Sequence, residues 1–76
     1  MTTHIINFNH YQTIDDFHKD IAERLSFDAY YGANLDALHD LISELDPNLQ
    51  KFAAIYGGPI PLEMQQMVMK ILNQEV

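Results

Sequence analysis

Two carboxylates and an imidazole lie close together in the middle of the chain, at Asp36, His39 and Asp40. Asp36 and Asp40 are four residues apart. In a helix they share one face, where like charges destabilise the helix by about 0.2–0.5 kcal/mol. Such a set has the chemistry of a general acid–base pair, of a metal site, or of a surface that binds a basic partner.

The catalytic and metal-binding interpretations are the less favoured ones. All three side chains fall on the outside of one short helix, and the surrounding sequence predicts no cleft that would desolvate the carboxylates. The remaining histidines, at positions 4, 10 and 18, do not form a recognised metal spacing. We therefore expect neither an enzyme nor a metal site, and no cofactor.

An aromatic segment with one glycine leads directly into this helix. Tyr30 and Tyr31 each carry a hydroxyl that needs a partner when buried, so we expect one ring to be partly buried and the other exposed. Gly32 is expected to provide a positive φ or a close backbone approach. The segment places aromatic surface beside paired negative charge, which favours binding of something basic.

The charge distribution points the same way. The formal net charge is −7, from eleven acidic and four basic residues, and no Lys or Arg lies between Arg24 and Lys51. Because an acidic surface repels phosphate backbones and anionic lipids, we expect no direct nucleic-acid binding and no membrane docking. A solvated acidic face that only aids solubility is the alternative. The chain has no cysteine, and its beginning has no signal-peptide pattern, which fits a cytoplasmic protein.

Five elements are predicted to position these residues within one domain, residues 1–76. Apolar, β-branched runs predict buried strands at 4–8 and 51–56. Helical periodicity predicts helices from Ile14 to Leu25, from Leu35 to Leu45 and from Leu62 to about Gln74. Strands that alternate with helices predict an α/β fold with a small parallel sheet.

Capping and packing signals refine these helices. Thr13 and Asp16 have capping-box spacing, Asn34 is a predicted N-cap, and Pro61 suits the first position of the third helix. An ion pair is expected between Asp20 and Arg24. The third helix is predicted to bury Met64, Met67, Val68, Ile71 and Leu72.

The segments 14–18 and 30–40 resemble the barstar family, which comprises intracellular inhibitors of the ribonuclease barnase. The string Tyr-Tyr-Gly-Ala-Asn-Leu-Asp-Ala-Leu-His-Asp is long and compositionally unusual, and a helix of matching length and phase precedes it. The resemblance covers residues 4–56 and, more loosely, the third helix. It implies a small parallel sheet flanked by helices, here with two strands and without the final strand of the family.

The resemblance also implies how such a protein acts. A barnase-type ribonuclease grips phosphates in a positively charged active site, which the inhibitor covers with this loop and the second helix. Asp40 would accept charge-assisted hydrogen bonds in the phosphate pocket, Asp36 would pair with a neighbouring base, and Tyr30 would pack on the catalytic histidine. The implied partner-binding residues are Tyr30, Tyr31, Gly32, Asn34, Leu35, Asp36, His39, Asp40 and Glu75.

Some positions depart from the family pattern. His39 stands where the best-known members carry Trp, and Ala33 stands where they carry an acid, so the target is open between barnase and another secreted or toxin ribonuclease of its type. The acid of the later helix has two candidates, Gln74 and Glu75. A missing final strand would leave a sheet edge that invites homodimerisation.

Two functions follow as hypotheses. The first is an immunity protein that blocks a barnase-type ribonuclease in the cytoplasm. The second is a barstar-like interaction module without nuclease inhibition, which binds another basic protein or itself.

Overall fold

The computed structural model describes residues 2–75, which form a two-stranded sheet and three α-helices. Strand β1 is followed by a short 3₁₀ helix at Phe8–His10. The main elements in chain order are β1 (Thr2–Asn7), α1 (Ile14–Leu25), α2 (Leu35–Ser43), β2 (Gln50–Ile55) and α3 (Leu62–Leu72). β1 and β2 pair in parallel, with Ile6 opposite Ala54. The predicted α/β class, with a small parallel sheet and three helices, is confirmed.

Both predicted N-caps position helices next to the candidate site. The Thr13 hydroxyl accepts from the Asp16 N–H, and the Asp16 carboxylate accepts from the N–H groups of Gln12 and Thr13 at 2.9 and 3.2 Å. These two bonds lower the pKa of Asp16. At the start of α2 the Asn34 side chain accepts from the Ala37 N–H at 2.8 Å. Each cap satisfies a backbone donor that the helix leaves free.

Element boundaries differ from the predictions by one or two residues. Both strands begin earlier than expected, and Phe8 lies in the 3₁₀ helix instead of β1. Pro61 is the N-cap of α3 and not its first residue. At the other end α3 stops at Leu72, and Gln74 adopts a left-handed φ of 56°.

The helices cover one face of the sheet and leave the other exposed. Ile6 and Phe52 are buried in the core, whereas Ile5 and Ile55 are each 47% exposed on the opposite face. The prediction of buried strands is therefore wrong for this face. Helix and sheet side chains share one core, formed by Ile6, Phe8, Tyr11, Phe17, Ile21, Leu38, Ile42, Phe52, Ile60, Val68, Met69, Ile71 and Leu72.

Helix α3 buries most of the predicted stripe, with Met67 as the exception. Met67, expected in the core, is 49% exposed. Val68, Ile71 and Leu72 are buried as predicted, and Gln65 and Met69, which were not predicted, are buried with them. Val68, Met69 and Leu72 follow Gln65 by three, four and seven residues, so these side chains share one helical face. Met67 follows Gln65 by two residues and so lies on the opposite side.

Gln65 fastens the turn that joins β2 to α3. Its side chain is 2% exposed. Its Oε1 accepts from the Gly57 N–H at 3.2 Å, and its Nε2 donates to the carbonyl oxygens of Gly57 and Ile60 at 2.8 and 2.6 Å. A polar residue at a core position is stable here because its amide is fully paired.

Candidate functional site: the tyrosine loop and helix α2

Residues 27–33, called here the tyrosine loop, connect α1 to α2. Helix α1 ends where Ser26 adopts a left-handed φ of 55°. The carbonyl oxygen of Asp28 then accepts from the Tyr31 N–H at 3.1 Å, and its side chain accepts from the Tyr30 N–H at 2.5 Å. Aspartate side chains commonly stabilise turns in this way. The turn directs the two tyrosines into different environments.

The tyrosine pair divides as predicted into one exposed and one partly buried ring. Tyr30 is 93% exposed. Tyr31 is half-buried, and its hydroxyl lies 2.5 Å from Nδ1 of the buried His18 on α1. Burial raises the pKa of Tyr31 to about 12. Burial also lowers the pKa of His18, against an opposing effect of the Asp15 carboxylate.

The positive φ expected at Gly32 occurs at the next residue. Ala33 has φ 51°, immediately before the N-cap Asn34, whereas the φ of Gly32 lies outside the left-handed region. Gly32 instead provides the close approach that was its other predicted role. A Cβ at Gly32 would lie 3.1 Å from the Asn34 Nδ2 and 3.6 Å from the Ala37 Cβ.

A groove of about 320 Å³ lies between the tyrosine loop and α2. Tyr30, Tyr31, Gly32 and Asp40, all predicted site residues, line it together with Asp28, Ala37 and Leu41. We call it the loop–helix groove. It combines two carboxylates with aromatic walls and apolar side chains of α2. Sequence reasoning missed Asp28, although an acid two residues before the tyrosine pair was the available signal.

Other predicted site residues surround this groove or lie apart from it. Asn34 caps α2, Leu35 is half-buried against the core, and Asp36 is exposed in the first turn. There the helix dipole favours its negative charge. His39 is exposed and lines a second cavity, of about 240 Å³, between α2 and α3.

The two candidates for the acid of the later helix occupy separate places. The Gln74 Nε2 donates to the carbonyl oxygens of Ile42 and Leu45 at 3.2 and 3.1 Å, and so caps the end of α2. Glu75 lines a groove of about 520 Å³ between β2 and α3. The structure therefore does not bring Glu75 to the loop–helix groove.

The site is exposed and acidic. Asp28, Asp36 and Asp40 all face solvent, and residues 25–50 contain no Lys or Arg. Within residues 2–75 no three His, Asp or Glu side chains are placed to hold a metal ion together. None of the three helices in this part of the chain has the length and apolar content needed to cross a membrane. The arrangement suits recognition of a cationic surface more than chemistry in an enclosed pocket.

Comparison with known proteins identifies the family. A family model described as Barstar (barnase inhibitor) matches residues 1–63, which include β1, α1, the tyrosine loop, α2 and β2. No curated protein and no solved structure matches the chain. The match covers well over half of the chain, including the whole tyrosine loop. The chain therefore belongs to the barstar family of barnase inhibitors.

Proposed function

We propose that this protein inhibits a barnase-type ribonuclease by covering its active site with the tyrosine loop and α2. The observation that carries the proposal is the loop–helix groove, where Asp28 and Asp40 stand beside Tyr30 and Tyr31. Acidic and aromatic groups on an exposed surface complement an active site that holds phosphates with cationic side chains. Family membership supports the same role.

Asp40 is the proposed substitute for a substrate phosphate. Its carboxylate is exposed and lines the groove in the second turn of α2. Charge-assisted hydrogen bonds from arginine or histidine to a carboxylate are stronger than neutral ones. Asp36, one turn earlier, is proposed to pair with a neighbouring base, while the exposed Tyr30 packs on the catalytic histidine. Tyr31, Gly32, Asn34, Leu35 and His39 complete the contact, and Glu75 is kept as a peripheral candidate.

The proposed partner is a basic ribonuclease that is secreted or delivered as a toxin, and the inhibitor acts as its immunity protein in the cytoplasm. The net charge of −7 supports attraction to a basic enzyme and disfavours nucleic acid and membranes as direct partners. Attraction between opposite charges accelerates association, and added salt weakens this effect.

The test is an inhibition titration against barnase-type ribonucleases, including any encoded next to this gene. We expect one-to-one inhibition, an association rate that falls as salt is added, and competition with a mononucleotide bound in the enzyme's active site. A complex that forms without inhibition, or that a saturating mononucleotide leaves unchanged, would contradict active-site coverage.

Self-association is the second candidate, and the outer edge of β2 favours it. Within residues 2–75, β2 pairs only with β1, so its other edge is unpaired. The groove between β2 and α3 is lined by Phe52 and Ala54 of β2 and by Tyr56, which follows the strand. Its other wall carries Met69 together with the polar side chains of Gln66, Lys70, Asn73 and Glu75. An unpaired strand edge is a template for pairing with another strand.

Sedimentation of the purified protein over a wide concentration range tests this second candidate. A dimer that Tyr56→Asp weakens would support pairing at the β2 edge. A monomer at every concentration would rule it out.

A further inference from the structure

We propose that His18, a residue of α1 outside the partner-binding surface, is the positioning residue of the tyrosine loop through its hydrogen bond with Tyr31. Its consequence for ribonuclease binding rests on the proposed function, whereas its consequence for the loop does not. His18 belongs to no part of the site predicted from the sequence.

Few side-chain hydrogen bonds hold the loop against the rest of the protein. Within residues 2–75, the bond between His18 Nδ1 and the Tyr31 hydroxyl is the only side-chain hydrogen bond from loop residues 27–33 to a distant part of the chain. The other bonds, made by the side chains of Asp28 and Asn34, join residues two positions apart. They shape the turn but do not fix where it lies against the helices.

Aromatic rings surround the bond between His18 and Tyr31. His18 is 2% exposed, and its ring packs against the rings of Phe17 and Tyr31, with centroid distances of 5.3 and 5.6 Å. The Phe27 ring lies 5.0 Å from that of Tyr31. Breaking this partly buried hydrogen bond is costly, because the buried His18 ring would lose its partner for Nδ1.

The bond is placed to control the binding surface. Tyr31 itself lines the loop–helix groove, between Tyr30 and Gly32 on the same loop. A loop that is ordered before association loses less conformational entropy when a partner binds. His18 thus acts on the groove through Tyr31 without touching the partner.

Amide hydrogen exchange of Tyr30 and Tyr31 in the full chain tests this directly, because both N–H groups are bonded inside the turn. After correction for global stability, we expect Tyr31→Phe and His18→Leu each to speed this exchange by about 3- to 10-fold, the value of one hydrogen bond. The double variant should exchange no faster than either single variant, since both remove the same bond.

Two further variants separate positioning from simple core packing. His18→Asn places an amide near the position of Nδ1 and should restore part of the protection. Tyr30→Phe removes an exposed hydroxyl from the same turn and should leave the exchange unchanged. Tyr31→Phe removes only the hydroxyl and leaves the ring and the core side chains in place. Unchanged amide exchange of the loop in this variant would overturn the proposal. Additive effects in the double variant would also overturn it.

Binding provides the functional readout. Once a ribonuclease that the protein inhibits is identified, Tyr31→Phe and His18→Leu should each raise the dissociation rate of the complex by a similar factor. In the double variant the two factors should not multiply. Rates equal to that of the unmodified protein, despite faster loop exchange, would refute the link to binding. If no ribonuclease binds at all, the proposed function fails, and the exchange experiment still decides the role of His18.

Discussion

Replacing Gln65 with methionine removes a buried amide while keeping a side chain of similar length and volume. The amide makes one bond to the Gly57 N–H, at 3.2 Å, and two to the carbonyl oxygens of Gly57 and Ile60, at 2.8 and 2.6 Å. The bond to Ile60 is fully buried, so its loss leaves a desolvated carbonyl at a cost of about 1–3 kcal/mol. The two partly buried bonds add about 0.5–1 kcal/mol each, and the expected total is about 3 kcal/mol.

Urea denaturation followed by circular dichroism measures this change. In a thermal scan of a domain of this size, a loss of about 3 kcal/mol in the free energy of unfolding corresponds to a fall in Tm of roughly 12–24 °C. Gln66→Met is the matched control, because Gln66 is the exposed neighbour on the same helix and should change stability by less than about 0.5 kcal/mol. Equal stability of the two variants would refute the claim that the Gln65 amide secures the turn.

The remaining predictions concern pH, a glycine and the exposed tyrosine. Burial lowers the pKa of His18 below its ordinary 6.5, so the unfolded chain takes up this proton first as the pH falls. The stability that the neutral His18 contributes is fully present above pH 6.5. As the pH falls further, the free energy of unfolding decreases by at most about 1.4 kcal/mol per pH unit from this group. His18→Gln should therefore flatten the dependence of stability on pH, and an unchanged slope would contradict this assignment to His18. Gly58→Ala should destabilise by about 1–3 kcal/mol in urea denaturation, because φ is 73° and the new Cβ would lie 2.6 Å from the Phe8 carbonyl oxygen, whereas Gly32→Ala should change stability less. Tyr30→Ala should leave Tm nearly unchanged, since the ring is 93% exposed, but should weaken ribonuclease inhibition; a large fall in Tm would show that the ring is structural.

Local sequence signals were sufficient to predict where α1 and α2 begin. Thr13 and Asn34 act within three residues of themselves, so their spacing alone predicts the bonds that the structure contains. The Asp20–Arg24 pair, at 3.1 Å, is equally local. The α/β class followed from the order of such elements.

Three features could not be predicted from the sequence: the exposure of Met67, the hydrogen bond between His18 and Tyr31, and the positive φ of Ala33. Met67 has the right chemistry for the core, but Gln65, whose amide is bonded to the preceding turn, occupies the buried face of α3, and Met67 lies on the exposed face. His18 and Tyr31 are thirteen residues apart, and no periodic pattern connects a helical histidine to a loop tyrosine. The positive φ falls on Ala33, immediately before the N-cap Asn34, whereas residue preference alone favoured Gly32.

We propose that the Asp40 carboxylate occupies the phosphate site of a ribonuclease. The most direct measurement compares the inhibition constants of Asp40→Asn and Glu23→Gln against the same enzyme. Both variants remove one negative charge from an exposed helical position, but only Asp40 lines the loop–helix groove. We predict that Asp40→Asn weakens inhibition by at least about 100-fold, as expected when a charged partner is lost from a buried interfacial pair, while Glu23→Gln has little effect. Equal, small effects of the two variants would contradict the claim.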